Sequence, residues 1–161
     1  MTSTERQHLI ERYKAGYARV TDALTGITDD ELDFRPAPAE WSVREVLHHL
    51  ADSETISGQR LRRLLVEDAP MIQGYDQDAY ARRLDYQRRP IEPALRAFEA
   101  ARASTAQLFD LMSDADWLRR GTHSESGPYA ATTWLEIYAD HAETHAAQIA
   151  ANRTAWAARR R

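Results

Sequence analysis

Apolar residues recur along this chain at intervals of three and four, the repeat of one face of an α-helix. Leu9, Ile10, Tyr13, Tyr17, Val20 and Leu24 form the first stripe and predict a helix from about Thr4 to Leu24, with Gly26 as its C-terminal cap. Val43, Val46, Leu47, Leu50, Leu61, Leu64 and Leu65 form the second. Ser42 and Glu45 stand at capping-box spacing, with Trp41 ahead of them as a hydrophobic staple, and set that helix's start. Pro70 sets its end near Asp68. Leu95, Phe98, Thr105, Leu108 and Met112 predict a third helix from about Ile91 to Met112. Trp134, Tyr138, Ile149 and Trp156 predict a fourth from about Thr132 to Trp156.

The connections differ in length. Phe34-Arg35-Pro36-Ala37-Pro38 carries two prolines and favours extended backbone. Residues 71–89 form a long crossover, with a short helix from Asp76 to Leu84. Its Tyr75, Tyr80 and Tyr86 pack it onto the bundle or line a cavity. Residues 113–131, with Gly121, Gly127 and Pro128, read as a loop. No segment alternates apolar and polar residues for long enough to predict a strand. The expected fold is all-α: a four-helix bundle with a long crossover between helices two and three, one domain over residues 1–161. The basic end, Arg159-Arg160-Arg161, reads as a solvated helix C-terminus.

Composition narrows the function. The 161 residues include 21 Lys plus Arg and 25 Asp plus Glu, a formal charge of −4 that argues against nucleic acid and against anionic membrane surfaces as partners. There is no cysteine, so disulfides, zinc ribbons and Cys nucleophiles are excluded, and any thiol chemistry must use a substrate's thiol. The N-terminus lacks the pattern of a signal peptide, and no apolar run approaches the ~20 residues of a membrane span. The expected location is cytoplasmic.

Of the six histidines, His141 and His145 stand out. Four residues apart on a helix, they lie one turn apart and can share one metal ion. They fall within the apolar stripe of helix four, where two imidazoles are costly unless their nitrogens are satisfied. Ala142 follows His141 where a zincin-type protease has its glutamate, and Glu143 is turned away, so that chemistry is not expected. Helix two offers His48 and His49. At about 100° per residue, His49 lies about 110° from the centre of its stripe and His48 about 150°, which favours His49 as third ligand and puts His48 near solvent. Glu54 is more central: a carboxylate ligand, a partner for a metal-bound imidazole, a general base, or a paired glutamate at a bundle edge. Gln148 follows His145 by one turn and would orient a ligand or a metal-bound water, or stand as a surface amide. His8 and His123 read as surface or loop residues.

Two stretches carry a family resemblance. The run from Trp41 to Glu54, with His48-His49-Leu50-Ala51-Asp52, resembles the helix-two signature of the DinB-like superfamily of bacterial metal-binding four-helix bundles. His141-Ala142-Glu143-Thr144-His145-Ala146-Ala147-Gln148-Ile149 resembles its second signature, on the last long helix. Both occur in the expected order and separation. The resemblance implies that His49, His141 and His145 bind a divalent metal, zinc or nickel, and that the protein is a homodimer. It further implies a thiol S-transferase, in which the metal activates a low-molecular-weight, bacillithiol-type thiol to attack an electrophilic substrate. A metal-dependent hydrolase, with Glu54 as base to a metal-bound water, is the first alternative. A non-catalytic, stress-related dimeric metal-binding bundle is the second.

Overall fold

The structure is a computed structural model that describes residues 1–159. Arg160 and Arg161 of the basic end lie outside the described residues. Four long helices form the bundle: α1 (Ser3–Ala23), α3 (Val43–Val66), α5 (Ile91–Phe109) and α7 (Ala131–Ala158). Their starts are chemically specified. Thr2 with Glu5 and Ser42 with Glu45 each form a capping box, in which hydroxyl and carboxylate satisfy backbone N–H groups the helix leaves free. Pro90 sits at the N-cap of α5, where its missing N–H costs nothing. Two residues beyond the C-cap of α1, Gly26 turns the chain at φ +70°, a conformation glycine adopts without steric cost.

The crossover and loops hold more structure than their sequence shows. A five-residue helix, α2 (Asp29–Asp33), capped by Thr28, follows α1. The crossover contains a strand, β1 (Met71–Ile72), and α4 (Gln77–Arg83), close to the expected short helix. The segment expected as a loop folds into α6 (Asp114–Trp117) and a hairpin of β2 (Arg120–His123) and β3 (Gly127–Ala130). β1 pairs parallel to β2, with Met71 opposite Thr122, and β2 pairs antiparallel to β3. This three-stranded sheet corrects the expectation that no strand forms. Its strands are two and four residues long, too short to show a period of two. Gly121 is required there: a Cβ would lie 2.2 Å from the Pro70 carbonyl oxygen.

Contacts fix the helix directions. His49 of α3 meets His141 near the middle of α7, while Asn152 near the end of α7 reaches Trp41 before α3, so these two run antiparallel. Glu54 meets Arg102 and Arg62 meets Thr105, so α3 and α5 run parallel. The long crossover follows, since a parallel neighbour requires the chain to travel back the length of the bundle.

Two apolar clusters fill the interior. One gathers Tyr13, Leu61, Phe109 and Trp134; the other gathers Val20, Val46, Leu50, Phe98 and Ile149. Between them lies a buried polar layer. Arg102 donates from Nη1 to Glu54 Oε2 (2.6 Å), from Nε to the Tyr13 carbonyl (2.8 Å) and from Nη2 to the Tyr138 carbonyl (3.0 Å). Its guanidinium carbon sits 3.9 Å from the centre of the Tyr13 ring. The Tyr13 hydroxyl donates to the other Glu54 oxygen. All four long helices meet in this layer. Gly16 allows it, because a Cβ there would lie 2.6 Å from Arg102 Nη2 and 2.7 Å from Ala142 Cβ.

Arg102→Ala strands a carboxylate at zero exposure and should cost ~3–5 kcal/mol of stability. Arg88→Ala, which removes an exposed partner 3.9 Å from Asp85, should leave stability unchanged within error. Urea denaturation of both variants at neutral pH measures the contrast.

Candidate metal centre

Antiparallel α3 and α7 bring His49, His141 and His145 together. One nitrogen from each lies within 4.8 Å of the others, and among the described residues this is the one group of three or more metal-binding side chains so placed. Ring centres are 4.6 Å apart for His141 and His145, 4.8 Å for His49 and His145, and 5.2 Å for His49 and His141. The Nε2 atoms of His49 and His141 face each other at 3.2 Å. Two nitrogens ~2.0–2.1 Å from one tetrahedral ion would stand ~3.3 Å apart, so this separation fits a shared cation. Gln148 Oε1 lies 2.8 Å from His145 Nδ1. Accepting that ring's N–H fixes the tautomer that leaves Nε2 free to ligate.

The electrostatics favour a cation. Burial, with the neighbouring imidazoles, pushes His49 down to about 3 and His141 down to about 2; burial also lowers His145. All three rings are neutral at pH 7, with lone pairs available. The Nδ1 atoms of His49 and His141 are buried without a protein partner, so the imidazoles are poorly satisfied by protein alone. The Nε2 atoms of His49 and His141 face only each other, and a single divalent ion would engage these two nitrogens and the Nε2 of His145 together, the two Nδ1 atoms lying outside its reach. Three protein ligands leave the open position a catalytic zinc site needs.

The surroundings are aromatic on two sides and open on a third. Trp41 packs on His49 at 4.9 Å between ring centres, and Tyr138 meets His141 edge-on at 5.6 Å. Arg60 donates to the Tyr138 hydroxyl at 3.1 Å. A cleft of about 300 Å³, lined by Trp41, Gln77, Asp78, His145 and Gln148, joins the centre to solvent.

The structure brings together the three histidines singled out by sequence and places Gln148 on one of them. Glu54 has other partners: Arg102 and Tyr13 occupy its two carboxylate oxygens, with Ser57 Oγ 3.4 Å away. Burial pushes its carboxyl up, and Arg102, Tyr13 and Ser57 pull it back. His48, expected near solvent, is buried at 2% exposure. Its ring stacks on Tyr86 at 28° and its Nε2–H donates to the Arg89 carbonyl at 3.1 Å. The crossover covers it, which a helical wheel drawn on one helix does not register. Glu143 is turned away from the centre, to Arg12 and Arg19 of α1. His8 is exposed; His123 is half-buried in β2 against Tyr129. Trp41 and Asp78, missed as site residues, carry no metal-ligand spacing and reach the cleft only through the fold.

A family profile described as the DinB superfamily matches residues 12–149. The chain belongs to the DinB superfamily. Among its DinB-type relatives, a presumed metal-dependent hydrolase of Oceanobacillus iheyensis is 34% identical over 128 residues, covering 80% of this chain and 74% of the relative. Another, from Geobacillus thermodenitrificans, is 31% identical over 131 residues, covering 79% and 72%. The solved structure of YfiT from Bacillus subtilis superposes with a TM-score of 0.88 at 25% identity, over 94% of this chain and 87% of that one. YfiT is described as a presumed metal-dependent hydrolase with an unusual four-helix-bundle topology. The DinB assignment agrees with the bundle and with the three-histidine centre. No helix among the described residues is long and apolar enough to cross a membrane.

Gln148→Leu should keep the fold, since the side chain is only half-buried, but lower zinc affinity ~10–100-fold by freeing the His145 ring. Competition with a chromogenic chelator measures it.

Proposed function

We propose that this protein is a metal-dependent enzyme that transfers a small-molecule thiol to an electrophilic substrate, with His49, His141 and His145 as the metal ligands. The observation that carries the reading is the composition of the centre: three neutral imidazoles, with the nearby buried carboxylate, Glu54, held by Arg102 and Tyr13. A divalent zinc or nickel ion held there keeps its full charge for an outside ligand, and would acidify a bound thiol or water.

The residues divide the remaining work. His145, oriented by Gln148, and His141 hold two ligand positions one turn apart. Trp41 shields His49 from water. The cleft beside Gln77 and Asp78 admits the reactants. In the transfer itself, the thiol sulfur bonds to an electrophilic carbon and the leaving group departs with the electrons of the broken bond. The thiol proton passes to solvent. Sulfur needs no strong base for this, because a thiol lies within a few units of neutrality before any metal acts on it.

Hydrolysis is the second reading, favoured by the names of the relatives. It would need another base than the one expected from sequence: a Glu54 carboxylate engaged by a buried arginine and a phenol is a positioning group for the bundle.

The two readings separate in one assay. Zinc- or nickel-loaded protein is given an alkyl halide and an activated ester, each with and without a low-molecular-weight thiol. Thioether formation that requires thiol, and is lost in His141→Ala, is the expected result. Ester cleavage independent of thiol, and also lost in His141→Ala, would replace transfer by hydrolysis.

A further inference from the structure

The cleft that reaches His145 does not end beside it. A second cleft, of about 370 Å³, shares Ala39, Trp41 and Asp78 with the first and extends along α4 to Arg82. The two form one groove, with the histidine centre at one end and a charged wall at the other. Most charges on that wall are engaged. Arg35 donates to Glu45 at 2.9 Å, and Glu45 also closes the capping box of α3. Asp85 has Arg88 at 3.9 Å.

Asp78 and Arg82 are the exception on that wall, and Glu40, which lines only the inner cleft, is a further carboxylate without a side-chain partner among the described residues. Asp78 and Arg82 stand four residues apart on α4, the spacing at which opposite charges ordinarily pair. No ion pair or hydrogen bond joins them, and among the described residues neither side chain has another such partner. Their order is set by the groove: Asp78 borders the cleft at His145, whereas Arg82 borders only the outer one. A ligand reaching outward from the centre meets first the free carboxylates of Glu40 and Asp78 and then a free guanidinium, and of the two carboxylates Asp78 is the one that stands a helical turn from Arg82.

We propose that this groove binds a small molecule that presents a thiol to the metal centre and carries an amino-acid group at its far end, its ammonium on Asp78 and its carboxylate on Arg82. The inference rests on the reading that the centre takes a thiol. Trp41 lines the middle of the groove and gives the connecting chain an apolar face to lie on. Guanidinium on carboxylate and carboxylate on ammonium are charge-assisted contacts, so both ends of the amino-acid group count in recognition.

Three matched thiols test it on cobalt-loaded full-length protein. γ-Glutamylcysteine has both charges at its far end, glutarylcysteine lacks the ammonium, and 4-aminobutyrylcysteine lacks the carboxylate. Dissociation constants are read from thiolate-to-cobalt charge-transfer absorption. γ-Glutamylcysteine should bind about tenfold more tightly than either analogue. Arg82→Ala should abolish its advantage over 4-aminobutyrylcysteine, and Asp78→Asn its advantage over glutarylcysteine, with cobalt content unchanged. If all three thiols ligate equally and neither variant alters them, the groove assignment is wrong while the thiol reading stands. If cobalt loads and no thiol enters its coordination, the thiol reading falls and this proposal with it.

Discussion

The arrangement of this bundle depends on one buried ion pair. Arg102 and Glu54 are almost wholly enclosed, and the guanidinium also donates to carbonyls of α1 and α7. Such a pair adds little net stability over a well-packed apolar core. Its effect is geometric. A shift of any long helix by one turn would leave a charge or a carbonyl unpaired in a region closed to solvent, at a cost of several kcal/mol. The apolar clusters on either side could accept several registers; the polar layer accepts one.

That register produces the metal centre. His49 lies five residues before Glu54 on α3, and His141 lies three residues after Tyr138, whose carbonyl Arg102 holds. Fixing Glu54 and Tyr138 at one level brings the histidines of two antiparallel helices to the next level. Ligand convergence is therefore part of how the core is built. The same layer uses up the carboxylate that would otherwise stand near a bound ion as a base, which leaves three neutral imidazoles as the candidate ligand set.

Much of this was legible in the sequence because it depends on local chemistry. Helix starts follow from Thr or Ser placed three residues before Glu, and helix faces follow from three- and four-residue spacing. His141, His145 and Gln148 need only the geometry of one helix. His49 needed the neighbouring helix, and the wheel argument and family resemblance pointed to it together. Most of what the sequence does not show depends on residues distant along the chain. Glu54 stands open between a site role and a paired glutamate because nothing near it announces Arg102, although that arginine falls on the stripe of Phe98 and Thr105 and can be noticed there. His48 faces away from the bundle core and is buried by the crossover. The three strands are short: β1 pairs with β2 across some fifty residues, and β2 and β3 form a local hairpin of strands too brief to show a period of two.

The central claim is that three histidines on two helices hold one divalent ion. It is tested most directly by elemental mass spectrometry of untagged protein, wild type and His141→Ala purified together. The account predicts about one zinc or nickel per wild-type chain and loss of that metal in a variant whose helical content is intact. Wild-type protein that carries no metal, and retains none after incubation with zinc or nickel at neutral pH, would contradict it.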